Sequence, residues 1–243
     1  MINNYLYKAF YSSKPDWKNG SQEYHDLLRS YINDSSKVLE IGAGPTNPST
    51  RLLSEISSVV DGIDIDIRIR ENADLNKALV YEGLEFPAEI MKNKYDIVTC
   101  DYVMEHVENP ILMCKEIHSC LNDGGVFIMR TPNIFHYVSI ISRFTPQWFH
   151  VLVAHGARKN KNMEVEPYPT FYRFNSRKRV TKVLKNSNLK VQRCIMVEKE
   201  PSYLKFNGIL FFFGVVYERI VNYFGFLSGF RANIFLVATK HEK

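Results

Sequence analysis

Residues 38–51 read VLEIGAGPTNPSTR, an apolar run that carries Glu40 near its end and turns through two glycines, Gly42 and Gly44, one residue apart. Glycines so placed let bare backbone approach a ligand. A dinucleotide fingerprint needs a third glycine three residues after the second, so that helix and strand can close around a pyrophosphate. That position is Asn47, with Pro45 and Pro48 nearby. Glu40 points the same way, because a carboxylate at a strand tip repels a pyrophosphate and suits an ammonium or sulfonium group.

The second acidic signal is DGIDID, residues 61–66, in which Asp64 ends another apolar run. A carboxylate there accepts both hydroxyls of a ribose. A ribose joined to a cationic tail describes S-adenosylmethionine.

The elements that must hold these residues alternate. Apolar runs at 37–41, 59–63, 78–81, 95–100 and 125–130 read as strands, and the segments 48–57, 67–74, 87–92 and 110–121 between them read as helices. Such alternation without hairpin turns predicts an α/β fold, a doubly wound, mostly parallel Rossmann-like sheet with helices on both faces; an antiparallel last strand is expected in addition. Asn109 and Pro110 start the helix at 110–121, and NDGG at 122–125 stops it. Upstream, Tyr24, Leu27, Leu28 and Tyr31 fall at helical spacing and predict an N-terminal helix over 21–32 that packs on the downstream strands and helices.

Past Thr131 the text becomes aromatic and rich in proline, and regularity returns with a helix near 176–187, a strand near 189–198, a long apolar helix after Phe206 and a last strand, ANIFLVATK. The chain of 243 residues is read as one domain: a helical cover over 1–36, a cofactor-binding core over 37–130, and helical and aromatic lid insertions at 131–175 and 199–231 laid over the carboxyl edge of the sheet.

The motifs, in order, resemble those of the class I S-adenosylmethionine-dependent methyltransferases, in particular the broad type 11 group, over Lys37 to Pro132. VLEIGAG resembles the first motif, GIDID the ribose-binding acid, EGLEFP the adenine-side loop, YDIVTCDYVMEHV the fourth strand and its turn, and LNDGGVFIMRTPN the fifth strand. The resemblance implies S-adenosylmethionine as cofactor, with Glu40 near its methionine amino group, Gly42 and Gly44 opening the backbone to it, and Asp64 on the ribose. Ile65, Leu84, Glu85 and Asp101 complete the implied cofactor-binding set. The sequence departs from the family at Gly83, where an acid is usual, and at Thr46, where a third glycine is common.

Methyl transfer needs an aligned acceptor, and a hydroxyl acceptor gains about 10²–10⁴-fold from a general base. His106, after the fourth strand, and His136, after the fifth, are the expected bases, with structural histidines as the competing reading of both. Some resembling enzymes hold a divalent cation through E-x-x-E-H; here Tyr102 replaces the first acid, so no metal is expected. PYPTFYR, with Tyr168, Tyr172 and Arg173, is read as acceptor-binding. No acidic residue stands between Glu166 and Glu198, while eight Lys and Arg run from Arg173 to Arg193, a pattern that attracts anions or marks a solvated helix face.

The activity expected is O-methylation of a small anionic or saccharide acceptor, such as a surface-glycan precursor. A lipid or quinone precursor, or an inert cofactor-binding partner subunit, are the alternatives. Nucleic acid is not expected as a partner, since no RNA-binding module accompanies the basic stretch. The four cysteines form no CxxC pair and are read as reduced core thiols. The N-terminus lacks an apolar core of signal-peptide length, so the chain is read as cytoplasmic. The apolar run at 206–230 is broken by Glu218 and Arg219 before the ~20 residues of a membrane span. It is read as a buried or substrate-covering helix, with peripheral membrane contact as the other reading.

Overall fold

The computed structural model describes residues 2–83, 85–144 and 168–240. Seven strands, β1 (Lys37–Ile41), β2 (Val59–Asp64), β3 (Lys77–Val80), β4 (Tyr95–Asp101), β5 (Leu121–Pro132), β6 (Leu189–Val197) and β7 (Asn233–Lys240), form one sheet in the order β3-β2-β1-β4-β5-β7-β6. The pairings from β3 across to β5 are all parallel. The last strand enters antiparallel. The Asn133 N–H, just past β5, donates to the carbonyl of Ala232 at the start of β7, and Lys240 at its end donates to Leu121 at the start of β5. This is the Rossmann-like arrangement read from the alternation of elements.

Four consecutive residues of β1, Val38 to Ile41, are buried on both faces of the sheet. That requires cover on each side, as parallel sheets have. In chain order the helices are α1 (Ile2–Tyr7), α2 (Gly20–Arg29), α3 (Pro48–Ile56), α4 (Ala88–Lys92), α5 (Pro110–Cys120), α6 (Tyr137–Phe144), α7 (Arg177–Lys185) and α8 (Gly208–Tyr223). Their starts follow the capping chemistry of the sequence. Asn47 accepts from the Ser49 N–H, Asn109 from Leu112 at 3.1 Å, and Ser176 from Arg179, each at a helix N-terminus.

Two helices depart from the reading of the sequence. The segment at 67–74 is a short 3-10 turn, Ile67–Glu71, because Asp66 caps it and the Asn72 side chain is spent on the carbonyl of Gly44 at 2.9 Å. The apolar run after Phe206 ends as α-helix at Tyr223 and continues as a 3-10 turn, Gly225–Phe230. It is buried on one face only: Phe211, Gly214, Val215, Glu218 and Val221 turn inward, while Phe213 and Tyr223 are exposed.

The chain divides into two compact units. The unit comprising Tyr24–Thr131, Pro169–Ile195 and Ile234–Lys243 contains most of the sheet. The other, Met1–Glu23, Pro132–Tyr168 and Met196–Asn233, packs Tyr11, Phe211 and Val215 into a core flanked by Leu6, Tyr7, Phe10 and Trp17. Cys100, Cys114 and Cys120 are buried and, with Cys194, carry free thiols. Among the described residues no helix is long and apolar enough to cross a membrane.

Candidate active site

The strand order reverses at β1, whose neighbours are β2 on one side and β4 on the other, and an open parallel sheet binds ligands outside the carboxyl ends of its strands at such a point. The glycine turn sits there. Gly42 has φ +78°, and a Cβ on it would lie 2.3 Å from the Val103 side chain. Gly44 has φ +58°, with nothing within 4 Å of where its Cβ would be. The first glycine is therefore required by crowding and conformation together, and the second by conformation at an open position.

Asp64, at the end of β2, fixes this turn. Its Oδ2 accepts from the Gly44 N–H at 2.8 Å and its Oδ1 from the Asp66 N–H at 2.8 Å. Two backbone donors orient the carboxylate while each oxygen retains a further lone pair for a ligand hydroxyl. Beside it Ile65 is exposed, its Cγ2 3.5 Å from where a Cβ on Gly83 would stand, so Ile65 and the loop that carries Gly83 share one wall. Glu85 is exposed on that loop. Leu84 lies outside the described residues.

Glu40 is buried behind the turn. Its Oε1 accepts from Asn47 at 3.4 Å, and its Oε2 has no hydrogen-bond partner among the described residues. Burial pushes its carboxyl up to about 8, the nearby Thr50 hydroxyl acts against this, and the Asp101 and Asp64 carboxylates add to the rise. A buried acceptor left in this state fits a cationic ligand group, which would satisfy the oxygen and restore the charge.

Asp101, at the end of β4, is held by Arg130 of β5. Nε of the guanidinium donates to Oδ1 at 2.6 Å and Nη2 to Oδ2. The same guanidinium lies 4.8 Å from the ring centre of Tyr24 and 4.5 Å from that of Tyr102. Tyr102 adopts φ +57°, a costly conformation for an aromatic residue, with its N–H on the Arg130 carbonyl at 2.9 Å. Ser49 donates to Asp101 at 3.4 Å, and His25 Nε2 is 3.2 Å from the Ser49 hydroxyl. From the sequence Tyr24 reads only as a packing residue of its helix, and Arg130, Ser49, His25 and Asn72 are not singled out. Of these, only Arg130 carried a signal: a charge within the apolar strand FIMRTP.

The turn after β4 carries Glu105 and His106. Glu105 is buried, accepts from Thr131 at 3.0 Å, and burial raises its carboxyl. Its carbonyl accepts the N–H groups of Phe171 and Tyr172 at 2.8 and 3.1 Å, which fastens the segment 169–173 to this turn. His106 Nδ1 lies 2.9 Å from the Pro169 carbonyl. A carbonyl can only accept, so Nδ1 carries the proton and Nε2 is the basic nitrogen of the neutral ring.

Next to this turn is a cavity of about 850 Å³, lined in part by Gly83, Glu108, Phe171, Arg173, Arg179 and Lys182. Arg173 donates to the Glu108 carbonyl at 2.7 Å and its guanidinium lies 5.4 Å from the Phe171 ring centre; Arg179 donates to the Tyr172 carbonyl at 2.6 Å. Three cations against one carboxylate make the cavity net positive.

The sequence candidates thus divide. Glu40, Gly42, Gly44, Asp64, Ile65, Glu85, Asp101, His106, Tyr172 and Arg173 all belong to the unit that contains most of the sheet. Tyr168 and His136 belong to the other. His136 is buried, with Nε2 3.3 Å from Glu198 Oε2 and its ring against Tyr137 at 4.1 Å and Tyr217 at 5.8 Å.

The sheet order, the antiparallel last strand and the glycine turn at the strand reversal define a class I methyltransferase fold. The chain belongs to the methyltransferase domain family, whose model matches residues 17–193. Its cofactor is S-adenosylmethionine.

Among curated proteins it is similar to a ubiquinone biosynthesis O-methyltransferase of Histophilus somni, 27% identical over 108 residues that cover 40% of this chain and 45% of that protein. It is 33% identical over 128 residues to the mitochondrial ubiquinone biosynthesis O-methyltransferase of Candida albicans, covering 48% of this chain and 39% of that protein. The matches span less than half the length of either relative. Among solved structures, phosphoethanolamine N-methyltransferase 2 of Haemonchus contortus, in complex with S-adenosylmethionine, superposes with a TM-score of 0.54 at 13% identity, covering 92% of this chain and 53% of that one. That likeness is one of fold.

Proposed function

We propose that the protein transfers the methyl group of S-adenosylmethionine to a hydroxyl oxygen of a small anionic acceptor, with a saccharide such as a surface-glycan precursor as one such acceptor. Bound S-adenosylmethionine supplies a methyl group on a positively charged sulfur, with a neutral thioether as leaving group. Glu40 would take its ammonium group, the Gly42–Gly44 turn its close approach, Asp64 its ribose, and Ile65 and Glu85 its adenine side. The orphaned, buried Glu40 Oε2 is what fits these residues to a cationic ligand.

His106 removes the hydroxyl proton at Nε2, the nitrogen left basic by the Pro169 carbonyl. The acceptor oxygen gains a bond to carbon as the proton leaves. The observation that carries the acceptor class is the cavity: Arg173, Arg179 and Lys182 suit a phosphate or carboxylate, and the face of Phe171 suits a sugar or ring. Turnover assayed against phosphorylated and nucleotide-linked sugars tests this reading. His106→Gln should lower kcat by about 10²–10⁴-fold with cofactor affinity kept. An unchanged kcat would remove His106 from the reaction, and tight cofactor binding with no turnover on any acceptor would point to an inert subunit.

A second reading rests on the two curated relatives, which are named for ubiquinone biosynthesis. In it the acceptor is a phenol hydroxyl of a quinone precursor, and Phe171 faces the aromatic ring. Turnover of a catechol acid with no turnover of any sugar would select it.

A further inference from the structure

We infer that α8 and the 3-10 turn after it form a docking face for an anionic lipid surface. The observation is an outward apolar stripe in the unit that contains α1. Ile209, Phe212, Phe213, Val216, Ile220 and Tyr223 recur at intervals of 3, 4, 7, 11 and 14 from the first, one face of a helix running about 21 Å. Exposure reaches 71% at Ile209, 63% at Phe213 and 82% at Tyr223, and Phe226 on the following turn is 81% exposed. A continuous exposed run of this kind marks an interaction surface.

The helix cannot turn this stripe inward, because its other face is already fixed. A Cβ at Gly214 would lie 2.5 Å from the Pro201 ring, and Glu218 is buried, accepting from Tyr11 at 3.3 Å and from Asn222 at 2.7 Å.

Charge selects the partner. Glu218 is the only acidic residue between Pro201 and Lys240, and it faces inward. Arg219, on the outer side, is half-exposed and 3.4 Å from the buried Glu218 carboxylate, and Lys205 lies over the Tyr7 ring at 3.9 Å with Glu200 at 3.9 Å. Phe10, partly buried against the core of this unit, holds its ring 6.4 Å from that of Phe212. Aromatic rings flanked by cations, with no exposed carboxylate on the helix, match the boundary between anionic headgroups and acyl chains. A second copy docking on the same face would bring like charges together in a two-fold contact. No described helix is long and apolar enough to cross a membrane, so the stripe lies on the surface.

The test is co-sedimentation of the full chain with vesicles of phosphatidylglycerol and phosphatidylcholine in equal parts, beside pure phosphatidylcholine, with sedimentation velocity run on the lipid-free protein. The expected result is binding to the anionic vesicles, weaker on phosphatidylcholine and in high salt. It should be lowered more than about tenfold by the double change Phe213→Ser, Phe226→Ser, which leaves S-adenosylmethionine affinity unchanged. Absence of native binding to anionic vesicles, equal binding by the double variant, or a lipid-free dimer that the double variant abolishes would each overturn the inference.

Discussion

Glu40 is the residue on which most depends, because it joins burial, charge and ligand. Burial pushes its carboxyl up to about 8 from an ordinary value of 4.5. The folded state therefore holds the proton more tightly than the unfolded chain does. This group makes the ligand-free fold less stable as pH rises from about 4.5 to about 8. A cation beside it favours the ionised form, so binding below pH 8 releases a proton, and cofactor affinity should rise with pH toward 8. Calorimetry in buffers of different ionisation enthalpy reads the released proton directly, and Glu40→Gln should abolish the release. Gly42 makes the companion prediction. Gly42→Ala would place a methyl 2.3 Å from Val103 at φ +78°, so it should cost about 1–3 kcal/mol in denaturant titration and weaken cofactor binding. Both residues were legible in the sequence, because an acid and two glycines close to the end of one strand act locally. Their supports were not: Asn72 reaches back 28 residues to Gly44, and Ser49 reaches 52 to Asp101. No periodicity encodes a partner at such a distance.

Among the elements, β4 and β5 are tied at their carboxyl ends by Asp101 and Arg130, whose side chains are 10% and 5% exposed. Arg130→Ala would strand a buried carboxylate and should destabilise the fold by about 3–5 kcal/mol, measured by urea titration, whereas the double change Asp101→Leu, Arg130→Met should restore most of it. If the single and double variants melt alike, the pair does not hold the sheet edge. The strands were readable because parallel strands buried on both faces are near-continuous apolar runs, as at Val38 to Ile41. The segment after Asp66 was not, since its residues suit an α-helix until Asn72 turns its side chain to the glycine loop. In α8 the apolar content was plain, but which face it buries is set by Gly214 against Pro201, a contact made across the fold of the chain.

At the scale of the molecule, the acid-free stretch that the sequence showed between Glu166 and Glu198 acquires a place: Arg173, Arg179 and Lys182 come to one cavity beside the turn that carries His106. Lys182→Glu should raise KM for an anionic acceptor by roughly tenfold with kcat kept, and the native KM should rise with salt, since the attraction is screened. An unchanged KM would place the acceptor elsewhere. Whether the glycine turn holds S-adenosylmethionine is decided by calorimetric titration of the native chain and of Asp64→Ala with S-adenosylmethionine and S-adenosylhomocysteine. The native chain should bind both ligands with micromolar affinity, and binding should be lost when Asp64 no longer receives the Gly44 N–H. Failure of the folded native chain to bind either ligand would contradict the assignment of this turn to the cofactor.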